Sequence, residues 1–257
     1  MQPALISLAS ASFLGIPLNI IYILIPLAGI GIFAYIIYKR IEPLLKAAPD
    51  HRFNRFAERI QSVIKIWLAQ WRHPRYLLAG VVHIFLFAGF LILGARSTQL
   101  VFVGFVEGFE LPGFSGSFGA FYNVLKDFAA TWVLIAVAIA AVRRSLFKPA
   151  RYAVPPQYGR DHTWEALLVL GLIAILVISE SLFEAALVVA QIQKGSHTEI
   201  VAPLTLMWFF RHLLADASQS TLQGVHSFTY FIHEITFFFF LCLQLLWSMR
   251  QPAYIIL

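Results

Sequence analysis

Four of the eight histidines in this 257-residue chain lie in or beside long apolar runs, where an ionisable side chain is costly. They are His73, His83, His226 and His233. Ionisable residues inside a membrane usually face the interior of a helical bundle, so these four are the first candidates for function. The other four lie in polar connections, where a solvated surface position is the simpler interpretation. These are His51, His162, His197 and His212.

The composition excludes a soluble globular protein. Hydrophobic residues make up 60% of the chain and charged residues only 12%, against about 45–50% and about 25% in typical soluble domains. The formal net charge of +6 is distributed between apolar runs, which argues against a nucleic-acid partner. With Cys242 as its sole cysteine, the chain alone cannot supply the thiolates of an iron–sulfur cluster.

The uncharged runs predict an all-α integral membrane protein with a five-helix bundle, forming a single domain over residues 1–257. A bilayer core requires about 20 apolar residues per helix, and each run is long enough. We place the span boundaries where charged residues begin. The predicted spans are residues 13–38, 76–95, 120–142, 164–189 and 225–247.

Lysine and arginine are distributed unevenly between the two sides of these spans. Residues 39–75 carry nine of them, residues 143–160 carry five, and Arg250 follows the last span. Because cytoplasmic loops collect positive charge, we predict that the N-terminus lies outside and the C-terminus in the cytoplasm. The first apolar run is too long for the core of a signal peptide, so we expect it to be retained as a helix.

Residues 52–71 form a further apolar pattern on the predicted cytoplasmic side. Their apolar side chains recur at helical spacing, and most of the basic side chains fall on the other face. This pattern predicts an amphipathic helix lying in the cytoplasmic interface of the membrane. The helix could brace the membrane surface or bind a soluble partner.

Two of the four histidines are suited to hold a haem. A haem in a membrane bundle needs two neutral imidazoles from different helices at the same depth. At about 1.5 Å per residue, His83 and His233 differ in depth by about 9 Å, which helix tilt and boundary error can absorb. We therefore predict His83 and His233 as axial ligands of a b-type haem. The alternative is that they are hydrogen-bonded core residues.

The other two histidines leave more alternatives open. Pairing His83 with His226, or His73 with His233, gives a depth difference of about 20 Å or more. His226 precedes His233 by two helical turns and could line the same groove as an iron ligand or quinone contact. His73 could hold a second haem nearer the cytoplasm, or it could be an interfacial residue that extends to the membrane surface.

Four further ionisable residues lie near the outer ends of the third and fourth spans. They are Lys126, Asp127, Glu180 and Glu184. Protonatable groups at this depth suit a quinone site, because the two-electron chemistry of quinones also exchanges two protons. Equally, Lys126 could serve only to neutralise a buried acid.

Four apolar strings together resemble a known family. They are RYLLAGVVHIFLFAGFLIL, KDFAATWVLIAVAIAAVRRSLFKPARY, EALLVLGLIAILVISESLFEAA and HSFTYFIHEITFFFFLCL. Over residues 15–248 the chain resembles the membrane cytochrome b of the nitrate reductase gamma-subunit type. The similarity is greatest to the form found in heterodisulfide-reductase-like and electron-transfer-flavoprotein:menaquinone oxidoreductases.

The resemblance implies a subunit of the prokaryotic cytoplasmic membrane that binds haem b between its second and fifth helices. Such a subunit passes electrons between a menaquinone pool and a cytoplasmic iron–sulfur or flavoprotein partner. The match puts His83 and His233 at the outer haem and His73 at the inner one. The usual partner of His73 falls on Gln251 here, which leaves open whether a second haem is bound.

The sequence thus favours a membrane-bound b-type cytochrome subunit of a quinone-linked oxidoreductase, in contact with lipid. Two alternatives from other classes remain. One is a proton-coupled transporter or channel that uses intramembrane Glu, Asp and His. The other is a non-redox membrane anchor for a soluble enzyme. Motifs typical of hydrolases, nucleotide-driven enzymes and thiol-redox enzymes are absent from the sequence.

Overall fold

A computed structural model describes residues 12–13, 16–48, 54–75, 77–106, 108–147, 163–195 and 201–247. His51, His162, His197 and Gln251 lie outside these ranges. The described chain is all-α apart from a two-residue antiparallel pairing of β1 (Ser12–Phe13) with β2 (Ile16–Pro17). The helices are α1 (Leu18–Leu45), α2 (Phe56–Ser62), α3 (Leu77–Val103), α4 (Gly116–Val142), α5 (Thr163–Gln193), α6 (Leu206–Leu213) and α7 (Gln219–Trp247). Short helical turns occupy Val63–Leu68, His73–Arg75 and Arg143–Phe147.

Five of the helices, α1, α3, α4, α5 and α7, are long and apolar enough to cross a membrane. The predicted all-α class and the predicted number of spans are therefore confirmed. Because it has these five helices, the chain is a multi-pass membrane protein.

The predicted ends of the spans need correction. Residues 13–17 are not helical, because this part of the chain pairs as β1 and β2 before α1 begins at Leu18. The second span does not end at residue 95, since α3 continues through Arg96 to Val103. The predicted end of the second span was set by the charged Arg96 that follows it. Arg96 is paired with carboxylates inside the bundle, and a compensated charge does not end a helix.

One end of the bundle is closed by α6. Buried alanine and valine side chains of α5 let Met207 and neighbouring apolar residues of α6 and α7 approach closely. The Thr205 hydroxyl accepts a hydrogen bond from the Trp208 backbone N–H at 3.2 Å, which caps the start of α6. The backbone N–H of Leu206 donates to the Thr131 hydroxyl of α4 at 2.9 Å, so α6 also contacts α4.

Aromatic rings join α1 to α7. The ring of Tyr22 stacks on Phe231 at 4.6 Å and meets Tyr230 edge-on at 4.8 Å between centroids. The hydroxyl of the same Tyr230 side chain donates a hydrogen bond to the Leu100 carbonyl of α3 at 3.2 Å. Tyr230 therefore fixes the register of α7 against both neighbouring helices.

The segment after α1 is helical, as its apolar periodicity predicts. It comprises α2 and the turn Val63–Leu68, and its side chains are exposed in this chain taken alone. Trp67 packs edge-on against Phe87 of α3 with centroids 5.6 Å apart, which holds the segment against a membrane helix. Its location in the membrane interface stays a prediction.

A test of the α3–α4 contact uses Gly89, where an added Cβ would collide with the Val133 side chain. Gly89→Ala should lower the free energy of unfolding by about 1–3 kcal/mol, because overpacking displaces α4. Thermal unfolding in lipid nanodiscs measures this change. Gly94→Ala is the matched control on the same helix, since nothing lies within 4 Å of its added Cβ. Equal destabilisation by both variants would contradict this packing.

Candidate functional site

Five ionisable side chains meet between α3, α4 and α5 in an ionic cluster. Its members are Arg96, Lys126, Asp127, Glu180 and Glu184. Lys126 is only 1% exposed, and the two glutamates are 4% and 8% exposed. The structure thus brings together all four residues that the sequence predicted for a quinone or proton site, and it adds Arg96.

Lys126 lies at the centre of the ionic cluster. Its ammonium group forms a short ion pair with Glu184 and lies 3.5 Å from Glu180 Oε1 and 3.4 Å from Asp127 Oδ1. Arg96 approaches from α3, with its Nε 3.3 Å from Glu180 Oε1 and a terminal nitrogen 3.9 Å from Glu184 Oε1. Two cations therefore bind three carboxylates in an apolar environment, where unpaired charge would be costly.

His233 of α7 lies beside this cluster. Its ring is 2% exposed, with Nδ1 3.1 Å from the Leu176 carbonyl of α5 and Nε2 3.2 Å from the Ser97 hydroxyl of α3. The carbonyl can only accept a hydrogen bond, so Nδ1 carries the proton and Nε2 has the free lone pair. The Ser97 hydroxyl is then the donor to Nε2.

Consecutive residues connect His233 to the ionic cluster. Ser97 follows Arg96 on α3, and Ser179, whose hydroxyl is 3.4 Å from His233 Nδ1, precedes Glu180 on α5. Four helices, α3, α4, α5 and α7, therefore contribute to one polar layer inside the bundle. This layer combines an imidazole whose unprotonated Nε2 accepts a hydrogen bond from Ser97 with a group of buried carboxylates.

His226 repeats the orientation of His233 two turns earlier on α7. Its Nδ1 donates to the Phe183 carbonyl of α5 at 2.9 Å, and its ring stacks on Phe183 with centroids 3.9 Å apart. The ring is 3% exposed. Two carbonyls of α5, seven residues apart, thus orient two imidazoles of α7 that are also seven residues apart.

His83 and His73 lie outside this polar layer. The His83 side chain is exposed on α3, and its ring stacks on that of His73 at 4.2 Å with an interplanar angle of 8°. Gly80 makes this contact possible, because a Cβ there would collide with the His73 carbonyl. The structure therefore brings together His73 and His83, and separately places His233 against Ser97.

The equal-depth argument for His83 and His233 does not hold in this arrangement. His233 lies opposite Ser97, which follows His83 by fourteen residues on the same helix, so the two histidines are about 21 Å apart along α3. The sequence-based figure was smaller because it ended the second span at residue 95 and also set the middles of the two spans at the same depth.

The residues as arranged do not fit a haem. Two axial ligands point their nitrogens at one iron from opposite faces of the porphyrin, which face-stacked rings such as those of His73 and His83 cannot do. Of the predicted ligands His83 and His233, only His233 has, among the described residues, the hydrogen bond to a carbonyl that orients metal-binding imidazoles. Within the described ranges, no group of three or more His, Cys, Asp or Glu side chains is placed to hold a metal ion. The axial-ligand roles stay predictions.

Comparison with known proteins identifies a distant relative. The chain is similar to the EtfAB:quinone oxidoreductase of Syntrophomonas wolfei. The two are 25% identical over 231 residues, which is 89% of this chain and 31% of the relative. The chain thus spans about a third of that protein's length. No family model and no solved structure matches the chain. The relative fits the predicted association with quinone oxidoreductases, whereas the nitrate-reductase-like cytochrome b resemblance stays a prediction.

Sequence reasoning missed three residues of this polar layer. Arg96 was left outside the membrane because the predicted second span ends at residue 95, although the apolar residues that follow from Leu100 signal that the helix continues. Ser97 and Ser179 give no signal of their own in the sequence. Next to His233, Glu234 is fully buried, and neither carboxyl oxygen has a hydrogen-bond partner among the described residues.

We expect Lys126→Met to lower the free energy of unfolding by about 3–5 kcal/mol, because it leaves buried carboxylates without their cation. The double variant Lys126→Met/Glu184→Gln should recover part of this loss, because the carboxylate paired most closely with Lys126 is also removed. Unfolding in nanodiscs measures the free energy of unfolding of these two variants and of Glu184→Gln alone, which completes a double-mutant cycle.

Lys39→Met is the control for this double-mutant cycle of Lys126 and Glu184. Lys39 pairs with Glu42 at 3.2 Å, but 48% of its side chain is exposed. Its loss should leave the Tm unchanged, since exposed ion pairs contribute little. Additive effects of the two cluster substitutions would show that Lys126 and Glu184 are not coupled.

The haem prediction has a spectroscopic test. If His83 and His233 bind one iron, His83→Ala and His233→Ala should each abolish the same Soret and α bands of the purified protein. His212→Ala should leave those bands intact, because His212 is exposed and its Nδ1 bonds the Trp208 carbonyl at 2.8 Å. Full haem content in His83→Ala would show that His83 is not a ligand.

Proposed function

We propose that this chain is the membrane subunit of a quinone-linked electron-transfer complex, and that its ionic cluster binds the quinone headgroup and exchanges its protons. The observation that carries the proposal is the polar layer inside the bundle. There Arg96, Lys126 and three carboxylates adjoin His233. The similarity to an EtfAB:quinone oxidoreductase supports the quinone-linked role.

The chemistry of a quinol matches the groups of this layer. Oxidation of a quinol to a quinone releases two electrons and two protons, so a site for it needs proton acceptors at the depth of the headgroup. Glu180 and Glu184 supply carboxylates there. Arg96 and Lys126 supply N–H donors that can bind the quinone oxygens. In this proposal the glutamates accept the two protons, the redox partner subunit accepts the two electrons, and the cations position the headgroup.

Arg96 of α3 is the most exposed side chain of the ionic cluster. The Arg96 side chain is 14% exposed, whereas Lys126 is 1% exposed. A lipid-soluble quinone would therefore meet Arg96 first and Lys126 deeper in the bundle. This order makes Arg96 the contact that controls entry.

The partner and orientation complete the proposal. We place the N-terminus outside and the basic connections in the cytoplasm, by the distribution of Lys and Arg. The membrane is the prokaryotic cytoplasmic membrane, and the quinone is menaquinone. The partner is a cytoplasmic flavoprotein or iron–sulfur subunit, consistent with the name of the relative. Haem ligation by His83 and His233 is a separate proposal from the sequence, and no step above depends on it.

Photolabelling with an azido-menaquinone analogue tests the quinone site in nanodiscs. Label should appear in peptides of α3, α4 or α5, and unlabelled menaquinone should compete for it. Arg96→Gln and Glu180→Gln should each weaken this binding at least about tenfold, because each removes a charge-assisted contact.

Arg96→Lys and Glu42→Gln are the controls for photolabelling. Arg96→Lys keeps the positive charge and should retain part of the binding. Glu42→Gln changes an acid on α1 that belongs to the exposed pair with Lys39, and it should bind quinone like the parent. Label that menaquinone does not displace would exclude a specific quinone site. Proton flux through liposomes without any redox partner would favour the transporter alternative.

A further inference from the structure

A cleft lies where the segment between α1 and α3 turns back towards the membrane helices. Its volume is about 410 Å³. It is lined by Gln61, Ser62, Lys65, Ile66, Trp71 and Arg72. The lining thus combines two cations, two neutral hydrogen-bonding side chains and two apolar ones, and contains no acid.

The backbone of this turn gives the cleft a defined shape. The N–H of Trp71 donates to the Lys65 carbonyl at 3.3 Å, which folds the chain back over the end of the helical turn. Gln70 has a left-handed φ of 52° and is buried, and its side-chain amide donates to the Trp67 carbonyl at 2.5 Å. These bonds hold Lys65 and Trp71 on facing sides of the cleft.

The two cations of the cleft have no carboxylate partner within the described ranges. Lys65 lies over the Trp71 ring, with its Nζ 5.7 Å from the centroid. This contrasts with the same segment's Arg55, which is paired with Glu58. Lys65 and Arg72 are therefore available to an external anion.

The position of the cleft favours a lipid over a soluble anion. Arg72, which lines the cleft, precedes the start of α3 at Leu77 by only five residues. The cleft therefore lies near the end of an apolar spanning helix, where the headgroups of the surrounding bilayer are always present. Its apolar side chains suit the glycerol and first acyl carbons that follow a phosphate.

We propose that this cleft binds the phosphate headgroup of an anionic phospholipid, with Lys65 and Arg72 contacting the phosphate. Trp71 and Ile66 cover the apolar part of the lipid that continues towards the bilayer. The bound lipid would fix the segment after α1 at the membrane surface. This inference is independent of the proposed quinone function.

Lipid binding to the full chain tests the proposal. Native mass spectrometry counts retained lipid after exchange into detergent with added phosphatidylglycerol or phosphatidylcholine of the same chains. The parent should retain one phosphatidylglycerol in preference to phosphatidylcholine. Lys65→Gln/Arg72→Gln should bind it about thirty-fold more weakly, taking about fivefold for each basic residue near an anionic lipid.

Arg55→Gln/Arg59→Gln is the matched control, because it removes the same charge from the same segment without changing the cleft lining. It should retain the lipid like the parent. Equal loss in both double variants would show general electrostatic attraction and overturn the proposal. Equal binding of phosphatidylcholine would also overturn it, and so would displacement of the lipid by millimolar inorganic phosphate. The lipid preference of the parent keeps the test decisive if a variant fails to fold.

Discussion

The pairing of buried charges between α3, α4 and α5 is the constraint on which the arrangement of the bundle depends. Inside a bilayer an unpaired ammonium or guanidinium is costly, so Lys126 and Arg96 require carboxylates at the same depth. Glu180 and Glu184, one turn apart on α5, provide them. This requirement sets the rotation of three helices at once, and it also lets α3 continue past Arg96 as an apolar helix.

The rotation of α5 that directs Glu180 and Glu184 into the ionic cluster also orients the histidines of α7. Its Leu176 and Phe183 carbonyls accept hydrogen bonds from His233 and His226, which fixes the tautomer of both rings. The unprotonated Nε2 of His233 then faces the Ser97 hydroxyl of α3. Oriented imidazoles next to paired carboxylates form a polar layer suited to proton exchange, and this combination supports a quinone-linked function better than a structural one.

The register of α3 against α7 decides which residues of these two helices can meet. It is fixed near the C-terminal end of α3, where Tyr230 bonds the Leu100 carbonyl and packs against Tyr22 of α1. With this register, His83 lies far from His233 and stacks on His73 instead. The two histidine pairs are therefore different environments: one is buried and hydrogen-bonded, and the other is partly exposed near the basic segment.

The sequence by itself determined that this is an all-α membrane protein with five spanning helices, because apolar length is a local property of the chain. It also identified Lys126, Asp127, Glu180 and Glu184, since ionisable residues stand out in apolar runs. Only the tertiary structure decided that Arg96 joins them and that Ser97 faces His233. The end of α3 depends on charges paired across the bundle, and its depth relative to α7 depends on the contact of Tyr230 with the Leu100 carbonyl. A count of residues along one chain does not contain that information.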